Sequence, residues 1–179
     1  MSPYFVLNLP VEFGWVLLSA VLMGLSCIVV GFIFAGGARG KVFTEQYLKE
    51  NYGTEHKRVT GQEIKKGGYP DTGSGFYTRN LDYEQWYTLN NGQRAHMNYV
   101  EWIGTNLIFH VVAGIYFPIP AAILGFGIII SRFVYAIGYT QGGPNSRILG
   151  ALANDLITLA ELILAIISCV KFMQGVQAS

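Results

Sequence analysis

Arg94, Asn98, Glu101 and Thr105 follow one another at spacings of four, three and four residues, which stacks them on one face of a helix. Further along, Arg132, Tyr135 and Tyr139 repeat the pattern at three and four, and Arg147 follows a glycine–proline turn. Arginines at such positions make bidentate contacts with carboxylates, and tyrosines add hydroxyl donors and flat cationophilic rings. Such a set suits a small anionic ligand. Glu101 could take an ammonium or amide group of the same molecule. The opposite reading is that Arg94 and Glu101 only pair with each other or with neighbouring helices, as polar glue in a bundle.

The elements that must carry these residues are apolar and long. Phe13 to Ala38 holds no charged residue, and a bilayer crossing needs about 20 such positions. Between Trp102 and Ser131 the only side chain that ionises near neutral pH is His110. Arg147 and Lys171 bound a third apolar block, interrupted by Asp155 and Glu161. With 51 % hydrophobic and 13 % charged residues in 179, the chain reads as an all-α integral membrane protein. Polar side chains at that depth cost free energy unless they are paired, wetted or used.

Four membrane helices are expected, over about 12–36, 83–117, 120–141 and 147–172, forming one membrane domain. Pro118-Ile119-Pro120 divides the second apolar block, because proline ends or kinks a helix at the residue before it. Gln141-Gly142-Gly143-Pro144-Asn145 closes the third helix. Short connections force antiparallel neighbours, so the expected architecture is an up-down four-helix transmembrane bundle.

The first connection is different. An inserted loop occupies residues 37–82, with polar character continuing to residue 91, and is long for a compact domain. It carries Arg39, Lys41, Lys49, Lys57, Arg58, Lys65, Lys66 and Arg79, eight of the twelve Lys and Arg, nearly balanced by acids. It reads as a solvated or partner-facing lobe on the cytosolic side by the positive-inside rule. Within it FTEQYLKENY suits a short interfacial helix and KKGGYPDTGSG is turn-rich. The start, MSPYFVLNLPVEFG, has no basic or Arg/Ser-rich leader, so the first helix would be its own insertion signal.

Other signals point to structure. Cys27 and Cys169 lie in apolar helices, where thiols are packing residues rather than a disulfide framework. His96 and His110 are separated by about 21 Å of helix and cannot share an ion, so no metal is expected. Gly125-Phe126-Gly127 lies in mid-span and permits close helix packing. A net charge of +1 gives no ground for a nucleic-acid partner. Asp155 and Glu161 lie about 120° apart around a helix and read as contacts with a neighbouring protein.

QRAHMNYVEW resembles the second-helix signature of the MAPEG family, membrane-associated proteins in eicosanoid and glutathione metabolism, with Arg94, Asn98 and Glu101 on its Arg-x-x-x-Asn-x-x-Glu pattern. SRFVYAIGYTQGGPNSR resembles the third-helix end and following loop, in particular those of type-3 microsomal glutathione transferases. The similarity runs from Tyr69-Pro70 to about Leu152, with an echo at EFGWVLL. The resemblance implies homotrimers of four-helix subunits that bind glutathione between neighbours. It makes Arg94, Asn98, Glu101, Arg132, Tyr135 and Tyr139 glutathione contacts. His96 occupies a position that also touches the ligand, and Arg39 answers to a basic position after the first helix. Arg147 would stabilise the thiolate, which attacks a lipophilic electrophile or reduces a lipid hydroperoxide arriving from the bilayer. The implied membrane is that of the endoplasmic reticulum or the mitochondrion. Trp102 stands where some members carry a tyrosine, and the inserted loop and the fourth-helix acids are additions. They motivate the alternative, an accessory subunit of a larger membrane assembly such as a respiratory complex.

Overall fold

The computed structural model describes residues 8–66 and 73–176, and these contain helices and no strand. Helix α1 (Phe13–Val30) passes through a π-helical segment (Gly31–Gly36) directly into α2 (Gly37–Val42). The first apolar element therefore continues to Val42 rather than ending near residue 36. No proline or capping side chain interrupts it, and Arg39 and Lys41 fall in its last turns. Helix α4 (Tyr83–Tyr116) starts at a capping box in which Asp82 accepts from the Gln85 amide and Gln85 accepts from that of Asp82. Helix α5 (Pro118–Gly142) begins at Pro118 itself, at the position where a missing N–H costs nothing. Gly143, at φ 76°, closes it. Helix α6 (Ile148–Met173) completes the set.

Side-chain contacts define how these helices run. Gly114 lies against Val16, His110 against Ser19, Tyr99 against Ser26 and His96 against Gly31, so α1 and α4 are antiparallel. Gly125 meets His110 while Arg132 meets Asn98, which makes α4 and α5 antiparallel too. Gly127 faces Ile157 and Tyr135 faces Gly150, so α6 runs back along α5. Among the described residues three spans are long and apolar enough to cross a bilayer: Phe13–Val42, Pro118–Gly142 and Ile148–Met173. Helix α4 falls outside that class because of its polar stripe, although 34 residues reach about 51 Å.

Small residues set the approach of the helices. A Cβ on Gly125 would lie 2.5 Å from His110 Cε1, so the glycine makes room for the imidazole. A Cβ on Gly150 would overlap the Tyr135 backbone nitrogen and lie 2.6 Å from its Cα. Backbone cannot swing aside as a side chain can, so Gly150→Ala is expected to pry α6 from α5. Overpacking of this kind costs about 1–3 kcal/mol. A lower thermal midpoint in detergent is the expected reading, and an unchanged midpoint would count against so close a packing.

The inserted segment is folded. Helix α3 (Glu45–Thr60) is longer than the FTEQYLKENY stretch. It starts at Thr44, whose hydroxyl accepts from the Tyr47 amide, and ends at left-handed Gly61. Phe43, Tyr47, Leu48, Tyr52 and Ile64 are buried together with Leu89 of α4, and Tyr77 packs on them. Tyr47 Oη donates to the Tyr77 carbonyl at 2.8 Å. Among the described residues, exposed ion pairs Lys49–Glu45, Lys57–Glu63 and Arg58–Glu55 engage three of the segment's eight cations. The facing cations hold these carboxyls below the usual carboxylate range. Their pairing is therefore present at neutral pH and lost on acidification. Residues 67–72, including the Tyr69-Pro70 start of the resemblance, and residues 1–7 of the N-terminal stretch lie outside the described residues.

Candidate functional site: an arginine-lined pocket

The buried face of α5 carries Ser131, Arg132, Tyr135, Ala136 and Tyr139, the helical repeat read from the sequence. Arg132 is 2 % exposed. Its Nη1 donates to Asn98 Oδ1 at 2.7 Å, and its guanidinium lies 5.0 Å from the centre of the Tyr99 ring. Its Nε and Nη2 are buried with no hydrogen-bond partner. Tyr99 is itself fixed by hydroxyl bonds to Ser26 at 2.7 Å and the Met23 carbonyl at 3.2 Å on α1.

Arg147 comes in from the turn before α6. Its Nη1 donates to Tyr135 Oη at 3.3 Å, and its guanidinium lies 5.1 Å from the Tyr139 ring and 5.9 Å from that of Tyr135. Cation–π contacts of this kind hold a guanidinium without neutralising it. Both arginines line a pocket of about 190 Å³ together with Asn98, Trp102, Tyr135, Ala151, Asn154 and Asp155. Among the described residues the ion pairs are Lys49–Glu45, Lys57–Glu63, Arg58–Glu55, Arg94–Glu101 and His110–Glu161. Neither pocket arginine belongs to one. Two guanidiniums thus converge on one small space whose one carboxylate, Asp155, forms an ion pair with neither among the described residues, and Arg132 keeps two donor nitrogens unpartnered.

The other expected site residues are placed differently. Arg94 and Glu101 flank Asn98 on α4 but pair with each other at 3.7 Å, half exposed, outside this pocket. His96 turns toward α1: a Cβ on Gly31 would lie 2.8 Å from its Nε2. Arg39 sits on α2 with its guanidinium 5.5 Å from the Phe43 ring, at the base of the lobe. The pocket therefore gathers Asn98, Arg132, Tyr135 and Arg147, with Tyr139 beneath. Arg39, Arg94, His96 and Glu101 stand elsewhere on the same chain.

Three features escaped the sequence reading. Asn154 and Asp155 form the α6 wall of the pocket; the signal was an Asn-Asp pair two turns into an apolar span. Glu161 is not a contact for another protein. It is fully buried, with Oε1 2.7 Å from His110 Nδ1, while His110 Nε2 lies 2.8 Å from Ser19 Oγ. Only the fold brings positions 19, 110 and 161 together. Cys27 is buried as expected, whereas Cys169 lies exposed on the outer face of α6. Among the described residues no cluster of His, Cys, Asp and Glu could hold a metal ion.

The arginine pocket, the α4 stripe, helices α1, α4 and α5 and most of α6 fall inside one stretch matched by a family model. That match covers residues 13–167 and so extends past both ends of the motif-level resemblance, and its description is "MAPEG family": the chain belongs to the MAPEG family.

Proposed function

We propose that this protein is a membrane glutathione transferase or peroxidase of the type-3 microsomal kind. On this reading it conjugates the thiol to lipophilic electrophiles or reduces lipid hydroperoxides. The observation that carries the reading is the pair of arginines, Arg132 and Arg147, facing one pocket in which neither forms an ion pair among the described residues and Arg132 keeps two buried donors unpartnered. A buried guanidinium left uncompensated costs several kcal/mol, so the site calls for an anionic ligand. Glutathione offers two carboxylates and an ionisable thiol, and members of the family use it.

The chain's own residues divide the work. Arg132, braced by Asn98 and the Tyr99 ring, is positioned to hold a carboxylate. Arg147, poised over Tyr139 with one nitrogen donating to Tyr135 Oη, is positioned beside the sulfur, where a cation favours the thiolate. Arginine stays protonated there and takes no proton itself. A pocket of about 190 Å³ is smaller than the ~300–1,000 Å³ usual for small-molecule sites. The tripeptide would therefore extend past it over Arg94 and Glu101, which supports a homotrimer with the ligand between subunits. Arg39 and His96 would join the site only from such an arrangement. The four long helices would then cross the membrane up and down as one domain, with α4 shielded by its neighbours, in the endoplasmic reticulum or the mitochondrion. The accessory-subunit alternative now rests on the folded lobe and Asp155, because Glu161 is fully buried against His110.

The test is a glutathione titration of the purified protein in mild detergent, following thiolate absorbance in the ultraviolet at neutral pH. A saturable signal is expected. No saturable binding would refute the reading.

A further inference from the structure

The buried face of α6 carries no large apolar side chain. It consists of Gly150, Asn154, Thr158, Glu161, Ala165 and Ser168, while Leu152, Leu159 and Ile166 point outward, each more than half exposed. Its polar groups are only half paired. Thr158 Oγ1 donates to Asn106 Oδ1 at 3.2 Å, and one turn on Glu161 Oε1 lies 2.7 Å from His110 Nδ1. The other ends, Asn106 Nδ2 and Glu161 Oε2, are buried without a partner, as are Asn154 Oδ1 and Arg132 Nε and Nη2 at the pocket. Among the described residues seven buried side-chain nitrogens and oxygens lack a partner. Five of the seven fall here, so the deficit follows one seam that runs from the pocket inward between α4 and α6.

Spacing says what fits the seam. Asn106 and His110 are four residues apart on α4, and Asn154, Thr158 and Glu161 follow at four and three on α6. Each step rises about 4.5–6 Å, too far for a direct hydrogen bond and about the reach of one small molecule bonded at ~2.8 Å on each side. Neutral amides, a hydroxyl and a carboxyl that shares its proton with an imidazole offer no net charge for an ion. They suit water, which bonds buried polar groups in this way. We infer that ordered water occupies the seam, accepting from Asn106 Nδ2 and donating to Glu161 Oε2, Thr158 Oγ1 and Asn154 Oδ1, and that this file carries protons between the His110–Glu161 pair and the arginine pocket. Each transfer breaks one O–H bond and forms another, with no electron exchanged. Thr158, whose hydroxyl both donates and accepts, links the two levels. The file is open on the pocket side alone: beyond Glu161 comes Ala165, and Ser168 Oγ is already bonded to the Ala113 carbonyl at 3.3 Å.

The experiment follows the proton between His110 and Glu161 by nuclear magnetic resonance, in detergent and without glutathione, on protein carrying isotope-labelled histidine. The chain has three histidines, and the ring N–H signals absent from the double variant His110→Leu/Glu161→Leu belong to the pair. On transfer to heavy water the wild-type proton is expected to exchange. Thr158→Val and Asn106→Leu, both close to isosteric, are expected to slow that exchange about tenfold, as for one hydrogen bond lost along the path. Ser19→Ala, on the other side of the ring, is expected to leave the rate unchanged. A wild-type proton that stays unexchanged for days, a rate insensitive to both seam variants, or one slowed only by Ser19→Ala would overturn the proposal. Should the seam variants fail to fold, a cross-peak between the same ring proton and water in the wild type supports it and the lack of one overturns it. Because no ligand is added, the outcome stands apart from whether the pocket binds glutathione.

Discussion

Arg147→Ala is expected to leave glutathione bound but its thiol protonated at neutral pH. A free thiol has a pKa of about 8.5, so only a few per cent is thiolate at neutrality. A unit charge about 4 Å away at the effective dielectric of a protein interior supplies up to about 4 kcal/mol. Two pKa units of lowering take less than that, about 2.7 kcal/mol, and make the thiolate the major species. Removing the guanidinium should therefore cut turnover at neutral pH by roughly 10–100-fold, in line with losing about that much thiolate. The defect should shrink as pH rises toward the ordinary thiol pKa, where the free thiol ionises unaided. Binding should fall only modestly, because Arg132, Asn98 and the α4 residues remain. Arg94→Ala is expected to act in the opposite way, weakening binding while the bound fraction keeps its thiolate absorbance. Arg147→Lys should recover part of the activity, since it restores charge but not the flat contact with Tyr139. Equal loss of binding in Arg147→Ala and Arg94→Ala would refute this division.

Local rules explain most of what the sequence foretold. Apolar runs, prolines and the glycine-rich breaker marked the start of α1 and the extents of α5 and α6, because each depends on neighbours in sequence. The Arg132, Tyr135, Tyr139 repeat marked a real buried face for the same reason. The α4 stripe was less faithful. Arg94, Asn98 and Glu101 share a helical face, yet only Asn98 turns into the pocket, since the pocket sits between α4, α5 and α6 and reaches one level of the stripe. His96 and Arg39 were placed by motif position alone, and their contacts depend on how α1 crosses α4. The lobe was misjudged as a loop because its core is assembled from scattered aromatic and aliphatic residues, Phe43, Tyr47, Leu48, Tyr52, Ile64 and Tyr77, with Leu89 supplied by α4. Such a cluster has no periodic trace. Asp155 and Glu161 looked alike in sequence, six residues apart in one helix, and the fold gives them opposite surroundings.

Glu161 makes the second large expectation, because its partner can be deduced down to the proton. Ser19 Oγ donates back to the carbonyl of Trp15 or Val16 at 2.9 and 3.0 Å. The Val16 carbonyl also lies 3.1 Å from His110 Nε2 and can only accept. Both neighbours of Nε2 are therefore acceptors, and Nε2 carries a hydrogen. Across the ring, Nδ1 and Glu161 Oε1 are 2.7 Å apart, a distance that needs one proton between them. The pair holds that proton in common and is neutral overall, fully buried among α1, α4 and α6. His110→Leu leaves the carboxyl without its partner, and breaking a buried pair in this way costs about 3–5 kcal/mol. Glu161→Leu leaves a neutral imidazole short of one bond, which costs about 1–3 kcal/mol. Ser19 loses little in either case, since its hydroxyl keeps the backbone carbonyls. The double variant His110→Leu/Glu161→Leu should return close to wild-type stability or exceed it, because a buried pair replaced by apolar side chains of similar size is often neutral or better. Thermal midpoints of the four proteins in one detergent close the cycle. Additive losses in the double variant would mean that the two residues do not act as a unit, and the single shared proton would then be wrong.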